Sequence, residues 1–265
     1  MAQLARRLSF AIVLAALVAC GEVPVGSSEQ AITHGWPDGN LHPNVGAMMI
    51  RRDGTYLQVC SGTLIAPTVF LTAAHCTSYL EEVGLDAFVT FDSVLRQDGN
   101  YLAGVMHTHP DYRARQSDPH DIAVITFAAP VARIAPAALP ALGALDALAE
   151  RHGLADQLFT AVGYGLGERI NGGGQPVYLE PDYRGYSTSS FNSIQASWLR
   201  LSQNPAKGDS GACFGDSGGP NFLGGKDSNL LVATTITGDA VCRATNVVYR
   251  LDSPSARAFL DPFLK

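Results

Sequence analysis

A serine set among glycines is the first feature of this sequence that suggests chemistry. Ser217 lies in the segment GDSGGP, residues 215–220. Glycines on both sides permit a tight turn that exposes the serine Oγ and lets a substrate approach the backbone closely. The backbone amides of Gly215 and Ser217 are then candidates for an oxyanion hole, two N–H donors aimed at the charge that develops when a carbonyl is attacked.

A serine nucleophile also needs a general base and a group that fixes the tautomer of that base. His75 in LTAAHC and Asp121 in DIAV offer these two functions. We therefore expect Ser217 as nucleophile, His75 as general base and Asp121 as the residue that orients the histidine. Taken singly, each has a plainer interpretation: a turn, a buried histidine beside a disulfide, and the cap of a strand.

Composition limits the classes of protein to which the chain can belong. It has 265 residues, 46% of them hydrophobic and 16% charged, which predicts a folded core in one domain or two closely packed halves. The formal net charge is -6, and no segment carries a lysine and arginine cluster. Nucleic acid is therefore not expected as a partner.

The N-terminus has the pattern of an export signal. Arg6 and Arg7 precede an apolar stretch of eleven residues, 8–18, which is too short to span a bilayer. The next residues end in LVAC, a bacterial lipobox pattern in which Cys20 is lipidated and becomes the N-terminus. The alternative is an ordinary signal peptide in which Cys20 is incidental.

Three segments follow from this pattern. We expect a signal peptide with a lipobox over 1–20, a flexible tether or propeptide over 21–31, and a folded domain from Ile32 to the end. The predicted location is outside the cytoplasm, in the bacterial cell envelope or secreted. Any membrane contact is expected only through a lipid at Cys20.

The other four cysteines are Cys60, Cys76, Cys213 and Cys242. An even number in an exported chain predicts two disulfides, and four cysteines allow three pairings. A zinc site is the alternative, but no pair has the close C-x-x-C spacing of zinc ribbons.

Short apolar, β-branched runs between turn signals predict an all-β fold. The predicted strands cover 45–50, 56–60, 69–74, 87–91, 122–127, 158–164, 230–236 and 246–251. Only two segments have helical patterns: 141–153, near the middle of the chain, and the tail, where Asp252 or Ser253 can cap a helix. The glycine-rich stretch 163–174 lacks the lysine of a phosphate-binding loop and is predicted to be a surface turn.

The segments FGDSGGP (214–220), LTAAHC (71–76) and DIAV (121–124) resemble the three signature segments of the chymotrypsin/trypsin family of serine peptidases, in the same order. The resemblance covers residue 32 to the end. It implies two six-stranded antiparallel β-barrels, about 32–140 and 150–252, with the active site in the cleft between them and a C-terminal helix at about 253–264.

That resemblance implies a serine endopeptidase that acts on polypeptides without a cofactor or a metal, and we expect it to be a monomer. A catalytically silent relative that serves as a lipid-anchored binding module is the alternative. The resemblance also implies the disulfides Cys60–Cys76, beside the histidine, and Cys213–Cys242, between two walls of the specificity pocket.

Specificity in this family depends on a pocket whose base is six residues before the nucleophile. Here that residue is Gly211, followed by Ala212, and the walls correspond to Gly238 and Val247. Without a carboxylate at the base, a basic side chain would be buried unpaired, so we expect neutral, apolar residues of medium size before the cleaved bond rather than Arg or Lys. Asp209 lies two residues from Gly211, and its carboxylate would change this expectation if it faced the pocket.

Activation in this family requires a new N-terminus that pairs with the aspartate before the nucleophile. Ile32 and Asp216 correspond to that pair, and Ala31 before the cleavage point disfavours trypsin-like self-activation. One departure concerns Ile236, which replaces a serine whose hydroxyl bonds the triad aspartate. A neighbour such as His120 or a water is expected to compensate.

Other polar groups are not expected to bind metal. His107 and His109, with His120, are interpreted as loop residues because their spacing gives no settled ligand geometry. Glu81, Glu82 and Asp86 lie where some relatives bind calcium, and they are interpreted as solvated acids.

Overall fold

The structure is a computed structural model that describes residues 32–113 and 116–265. The predicted signal peptide, Cys20 and the tether lie outside the described residues. Within the described ranges, no helix is long and apolar enough to cross a membrane.

Strands dominate the described part of the chain. In chain order they are β1 Trp36–Pro37, β2 Val45–Arg52, β3 Thr55–Ala66, β4 Val69–Thr72, β5 Ala87–Thr90, β6 Leu102–Thr108, β7 Ala123–Thr126, β8 Leu158–Gly163, β9 Gly185–Ile194, β10 Trp198–Ser202, β11 Pro220–Leu223, β12 Leu231–Gly238 and β13 Thr245–Arg250. The helices are α1 Ala74–Val83, α2 Ala144–Glu150 and α3 Pro254–Leu260, with 3-10 turns at Pro205–Lys207 and Asp261–Phe263.

The first barrel closes in the order β2-β3-β4-β7-β6-β5, with every pair antiparallel. Its interior is filled by large apolar side chains without exposed surface, among them Met48, Leu64, Phe70 and Ile125. Alternation along each strand sends these residues inward, and their burial is the main term that stabilises the barrel.

The second barrel follows the order β8-β9-β10-β13-β12-β11 and closes because β8 pairs with both β9 and β11. The short strand β1 adds to β9, so the start of the described chain belongs to this barrel. The predicted architecture of two six-stranded barrels with a C-terminal helix is confirmed.

The helices differ partly from the sequence prediction. Ser253 caps α3 through an Oγ that accepts from the backbone N of Ala256, within the predicted tail helix. Helix α1 was not predicted, because 69–74 was interpreted as strand alone. Cys76 and Leu80 form its buried face, and Gly84 ends it with φ 68°.

A buried arginine of the second barrel, held by an ion pair, joins that barrel to the first. Arg184, directly before β9, donates from Nε to Oδ2 of Asp38 at 2.8 Å, and neither side chain has exposed surface. Its Nη1 donates to the carbonyl of Val45 in β2 at 2.9 Å, while His42 contacts the other oxygen of Asp38. These bonds help to fix the relative position of the barrels and therefore of the cleft between them.

Candidate active site

His75 and Asp121 meet in the first barrel at the edge of the cleft. His75 lies in the first turn of α1, and Asp121 precedes β7. The Nδ1 of His75 bonds Oδ2 of Asp121 at 2.8 Å, and the backbone N of His75 donates to Oδ1 at 2.8 Å. The carboxylate thereby fixes both the ring and the backbone that carries it, and leaves Nε2 as the nitrogen that can accept a proton.

The turn before Ser217 positions two free amides. The N–H of Asp216 donates to the carbonyl of Cys213 at 3.0 Å, and Gly215, at the third position, has φ 93°. This is a type II turn, in which the third residue needs a positive φ and is therefore glycine. Within residues 32–113 and 116–265, neither Gly215 nor Ser217 donates its N–H to a protein acceptor, so both amides are available to an oxyanion.

Strand β3 holds this turn against the first barrel. The carbonyl of Gly215 accepts from Nε2 of Gln58 at 2.8 Å and from Oγ of Ser61 at 3.0 Å. The backbone N of Ser61 also donates to the carbonyl of Ser217 at 2.9 Å. These contacts join the serine turn of the second barrel to the barrel that carries the histidine.

Ser217 and His75 are both half-buried on the two sides of this contact. The carbonyl of Ser217 lies 3.9 Å from Sγ of Cys76, the neighbour of His75. In the described part of the chain no hydrogen bond joins the Oγ of Ser217 to His75. Such bonds commonly tighten only when substrate is bound.

Both predicted disulfides are confirmed. Cys60–Cys76 joins β3 to α1 beside His75, and Cys213–Cys242 joins the serine turn to the segment after β12. Cys60, His75 and Cys76 place ligand-type atoms within 4.8 Å of one another, the only such group among the described residues. Because both sulfurs belong to the disulfide, neither is a thiolate, and the zinc alternative is wrong.

A cavity of 310 Å³ opens beside Ser217. Its lining residues are Ala212, Cys213, Phe214, Ser217, Thr235, Ile236, Thr237, Gly238, Asp239, Ala240, Cys242 and Asn246. Ala212 and Gly238 therefore lie where the resemblance implied a specificity pocket.

Gly211 and Val247 do not line this cavity, which differs from the sequence expectation. Gly211 pairs with Thr33, and a Cβ at Gly211 would overlap the side chain of Gln203, which occupies that space. Along β13 successive side chains face opposite sides, so the cavity residue is Asn246 rather than Val247.

Asp209 and His120, two residues expected to affect the pocket and the triad, bond elsewhere. Asp209 accepts from the backbone N and Oγ of Ser190 and does not line the cavity. His120 bonds Ser255 through Nδ1 at 2.9 Å, and among the described residues its ring makes no hydrogen bond to the carboxylate of Asp121, so the expected compensation for the missing hydroxyl at Ile236 does not come from it.

Asp216 is a buried carboxylate whose described surroundings contain no cation. Its oxygens accept from the backbone N of Gly165 and of Cys213, each at 2.8 Å, and burial raises its pKa to about 7. A Cβ at Gly163 or Gly165 would overlap its carboxylate. The prediction of a surface turn for 163–174 is therefore wrong at its start, because these glycines form a wall of the Asp216 site.

Ile32 precedes a residue that pairs with Gly211, five residues before Asp216. It has no exposed surface and a φ of 65°, and the next residue, Thr33, donates its N–H to the carbonyl of Gly211 at 3.0 Å. A left-handed φ is strained for a β-branched residue.

The remaining polar candidates have structural contacts. His107 lies in β6 and bonds Oγ1 of Thr126 at 3.0 Å, while the rings of His109 and His120 stack at 4.5 Å. The predicted loop position is therefore wrong for His107. Glu81 accepts from Oγ1 of Thr108 at 3.0 Å. Glu82 and Asp86 are exposed.

Comparisons with known proteins agree with this geometry. The trypsin family model matches residues 37–256. A trypsin from Saccharopolyspora erythraea is 29% identical over 219 residues, which are 79% of this chain and 88% of that protein. A solved structure of HL collagenase has the same fold, with a TM-score of 0.62 and 20% identity over 88% of this chain and 96% of that chain. His75, Asp121 and Ser217 lie within the matched range, residues 37–256.

Proposed function

The chain belongs to the trypsin family and is a serine endopeptidase, and from that premise we propose that Ser217 is its nucleophile, His75 its general base and Asp121 the carboxylate that orients the base. The observation that carries the proposal is the pair of 2.8 Å bonds from Asp121 to the ring and the backbone of His75. They leave one ring nitrogen, Nε2, for the serine proton.

The reaction follows from these positions. Nε2 of His75 takes the Oγ proton of Ser217 as Oγ attacks the scissile carbonyl carbon, and Asp121 stabilises the imidazolium that forms. The carbonyl oxygen becomes negative and is bound by the N–H groups of Gly215 and Ser217. When the carbonyl reforms, the amine leaves with the proton held by His75. Water then hydrolyses the ester on Ser217 with the same base.

Activation is proposed to depend on cleavage before Ile32. The supporting observation is Asp216, which is buried without a cation among the described residues. A new α-ammonium at Ile32 would supply that charge, and cleavage would also remove the peptide bond that defines the strained φ of Ile32. Because Ala31 precedes the bond, another protease or self-cleavage after a small residue would perform this step.

Export outside the cytoplasm is proposed from the signal pattern and the two disulfides. Four of the five cysteines are paired with one another, so Cys20 has no partner cysteine in the chain and is available for a lipid. Cleavage before Ile32 would then release the domain from its anchor. Intact-mass measurement tests this, because active protein that still begins at lipidated Cys20 contradicts release.

A neutral residue before the cleaved bond, with apolar carbons along the walls of the cavity, is also proposed in place of Arg or Lys. Ala212, Ile236 and the Cys213–Cys242 disulfide supply apolar surface in the cavity beside Ser217. Gly211 brings no carboxylate, and Gln203 occupies the space behind it. Arg and Lys would therefore enter without a charge partner at the inner end.

Covalent labelling tests the function directly. After processing at Ile32, an organophosphonate probe should label the wild-type protein and fail to label Ser217→Ala. Ser78→Ala is a matched control, since Ser78 lies in α1 and not in the serine turn, and it should label like wild type. Absence of labelling in processed wild-type protein would favour a catalytically silent binding module.

A further inference from the structure

Asn246 lies at the inner end of the cavity beside Ser217. Its exposed fraction is 1%, whereas Phe214, which lines the same cavity, is 53% exposed. The neighbouring lining residues Ala212 and Cys242 are also buried. Asn246 is therefore the most buried of the lining residues, at the inner end for a substrate side chain that enters past Phe214.

The carboxamide of Asn246 has a fixed orientation. Its Nδ2 donates to Oδ1 of Asn221 at 3.2 Å and to Oγ1 of Thr235 at 3.3 Å, and Nδ2 of Asn221 also donates to Thr235 at 3.0 Å. Within the described residues, Oδ1 of Asn246 accepts no hydrogen bond. The protein therefore uses the N–H groups of this amide, and the oxygen Oδ1 remains able to accept a hydrogen bond.

Among the described residues, only one charged side chain lines the cavity, that of Asp239. Its oxygens accept from the backbone N–H groups of Arg243, Ala244 and Thr245 at 3.1, 2.8 and 2.8 Å. Although burial alone would raise its pKa, these bonds lower it. The carboxylate of Asp239 is therefore bound within its own loop. The polar group at the inner end of the cavity is the neutral amide of Asn246.

We propose that Asn246 is a specificity-determining residue, whose Oδ1 accepts a hydrogen bond from a neutral substrate side chain that ends in an N–H or O–H donor. Glutamine and tyrosine before the cleaved bond have this chemistry. The inference rests on the proposed function of Ser217. A side chain of the same size without the donor leaves a buried acceptor unpaired, and a site built this way rejects such analogues strongly.

Matched peptide substrates test the inference. Pairs that differ only before the cleaved bond, Tyr against Phe and Gln against Met, separate the donor from the size of the side chain. We expect kcat/KM of the processed wild-type protein to be about tenfold or more higher for Tyr and for Gln. In Asn246→Leu the acceptor is gone, so both ratios should fall to about one or below.

The near-isosteric variant Asn246→Asp gives the second readout. A carboxylate at the inner end can pair with a cation, and the amide of Asn221 can turn to donate to it. We expect the ratio of kcat/KM for Arg or Lys to that for Tyr to rise by about tenfold or more. Asn192→Asp, on the exposed part of β9, adds the same charge outside the cavity and should leave this ratio unchanged.

The outcomes separate the two claims. Wild-type protein that is labelled at Ser217 but cleaves Phe and Met peptides as fast as Tyr and Gln peptides overturns the role of Asn246 alone. Labelled Asn246→Asp protein without any gain for Arg or Lys does the same. Processed wild-type protein that neither labels nor cleaves overturns the proposed function, and the role of Asn246 with it.

Discussion

Asp121 divides its two carboxylate oxygens between the ring and the backbone N–H of one residue, His75. Ile236 occupies the position where the family has a serine. Within the described ranges, no side-chain hydroxyl bonds the carboxylate of Asp121. The orientation of His75 therefore depends on Asp121 more heavily than on any other described side chain.

Asp121→Asn should lower kcat by about three to four orders of magnitude, because an amide cannot accept from both N–H groups of His75 and selects the wrong tautomer. Steady-state kinetics on a peptide substrate measures the change. Asp111→Asn, at an exposed position, should keep kcat within about twofold. A kcat of Asp121→Asn close to that of wild type contradicts the assigned role.

Asp216 gives a pH-dependent prediction for the uncleaved chain. Burial raises its pKa from 3.8 to about 7, so between these values the native state holds a proton that the unfolded state has lost. Stability must then fall as pH rises from 4 to 7, by at most about 4 kcal/mol, and stay level above pH 7.

Chemical denaturation at several pH values measures this effect. The background is Ser217→Ala, which prevents self-cleavage, and the comparison is the same protein with Asp216→Asn, which does not titrate. The difference in unfolding free energy should change between pH 4 and 7. Equal pH profiles for the two proteins would show that Asp216 is ionised without penalty in the uncleaved chain.

At the scale of elements, the segment 166–179 forms a hairpin that we call the cavity hairpin. Its backbone pairs Gly167 with Leu179 and Ile170 with Val177. Tyr178 on this hairpin connects two residues that line the cavity, Phe214 and Ala240.

The ring of Tyr178 packs edge-on against Phe214 with centroids 5.8 Å apart, and its hydroxyl donates to the carbonyl of Ala240 at 2.7 Å. Phe214 and Ala240 both line the cavity. At the base of the hairpin, Glu168 contacts Nδ1 of His34 at 2.8 Å, two residues after Ile32. The hairpin thus links the start of the domain to the mouth of the cavity.

Tyr178→Phe removes the hydroxyl bond to Ala240 and keeps the ring packing. We expect KM to rise about two- to fivefold with little change in kcat, because a net hydrogen bond at a partly exposed site contributes roughly 0.5–1 kcal/mol to the position of the cavity mouth. Tyr79→Phe, at an exposed site on α1, is the control. A fall in kcat at constant KM would instead place Tyr178 in the chemical step.

For the whole molecule, the cleft depends on how the barrels are held together. The shared core includes Val45 and Leu71 from the first barrel, Phe222 and Tyr249 from the second, and Leu260 from α3. Next to this core, the buried pair Asp38–Arg184 adds directional bonds, which apolar packing alone does not supply.

Arg184→Met should destabilise the fold by about 3–5 kcal/mol, because it leaves the carboxylate of Asp38 buried and without its cation. Denaturant unfolding measures the loss, and Arg52→Met at an exposed position on β2 should change stability by about 0.5 kcal/mol or less. Burial alone would raise the pKa of Asp38, but His42 and Arg184 lower it below 3.8. The stability from Asp38 is therefore present above that pH and lost as pH falls through the lowered pKa. A loss in Arg184→Met no larger than in Arg52→Met contradicts this account.

Local signals in the sequence determined a large part of this description. Apolar runs between turns located β2, β5 and β13, because the pattern of apolar residues along a strand depends only on residues that are close in sequence. The signature segments around Ser217, His75 and Asp121 identified the chemistry, and the resemblance they carry implied the correct disulfides. By contrast, β9 was missed because GYSTSSFNSI has few apolar residues, and α1 because its start continues the apolar run of β4.

Tertiary structure alone decided what surrounds the nucleophile. The pairing of β12 with β13 shifts register between Thr235 and Thr237, and this register sets Asn246 opposite Gly238 at the cavity. Gln203 fills the space at Gly211 from a distant part of the chain. The physical reason is that a one-residue change of register reverses which side chains face a cavity, and register depends on contacts between strands that are far apart in sequence.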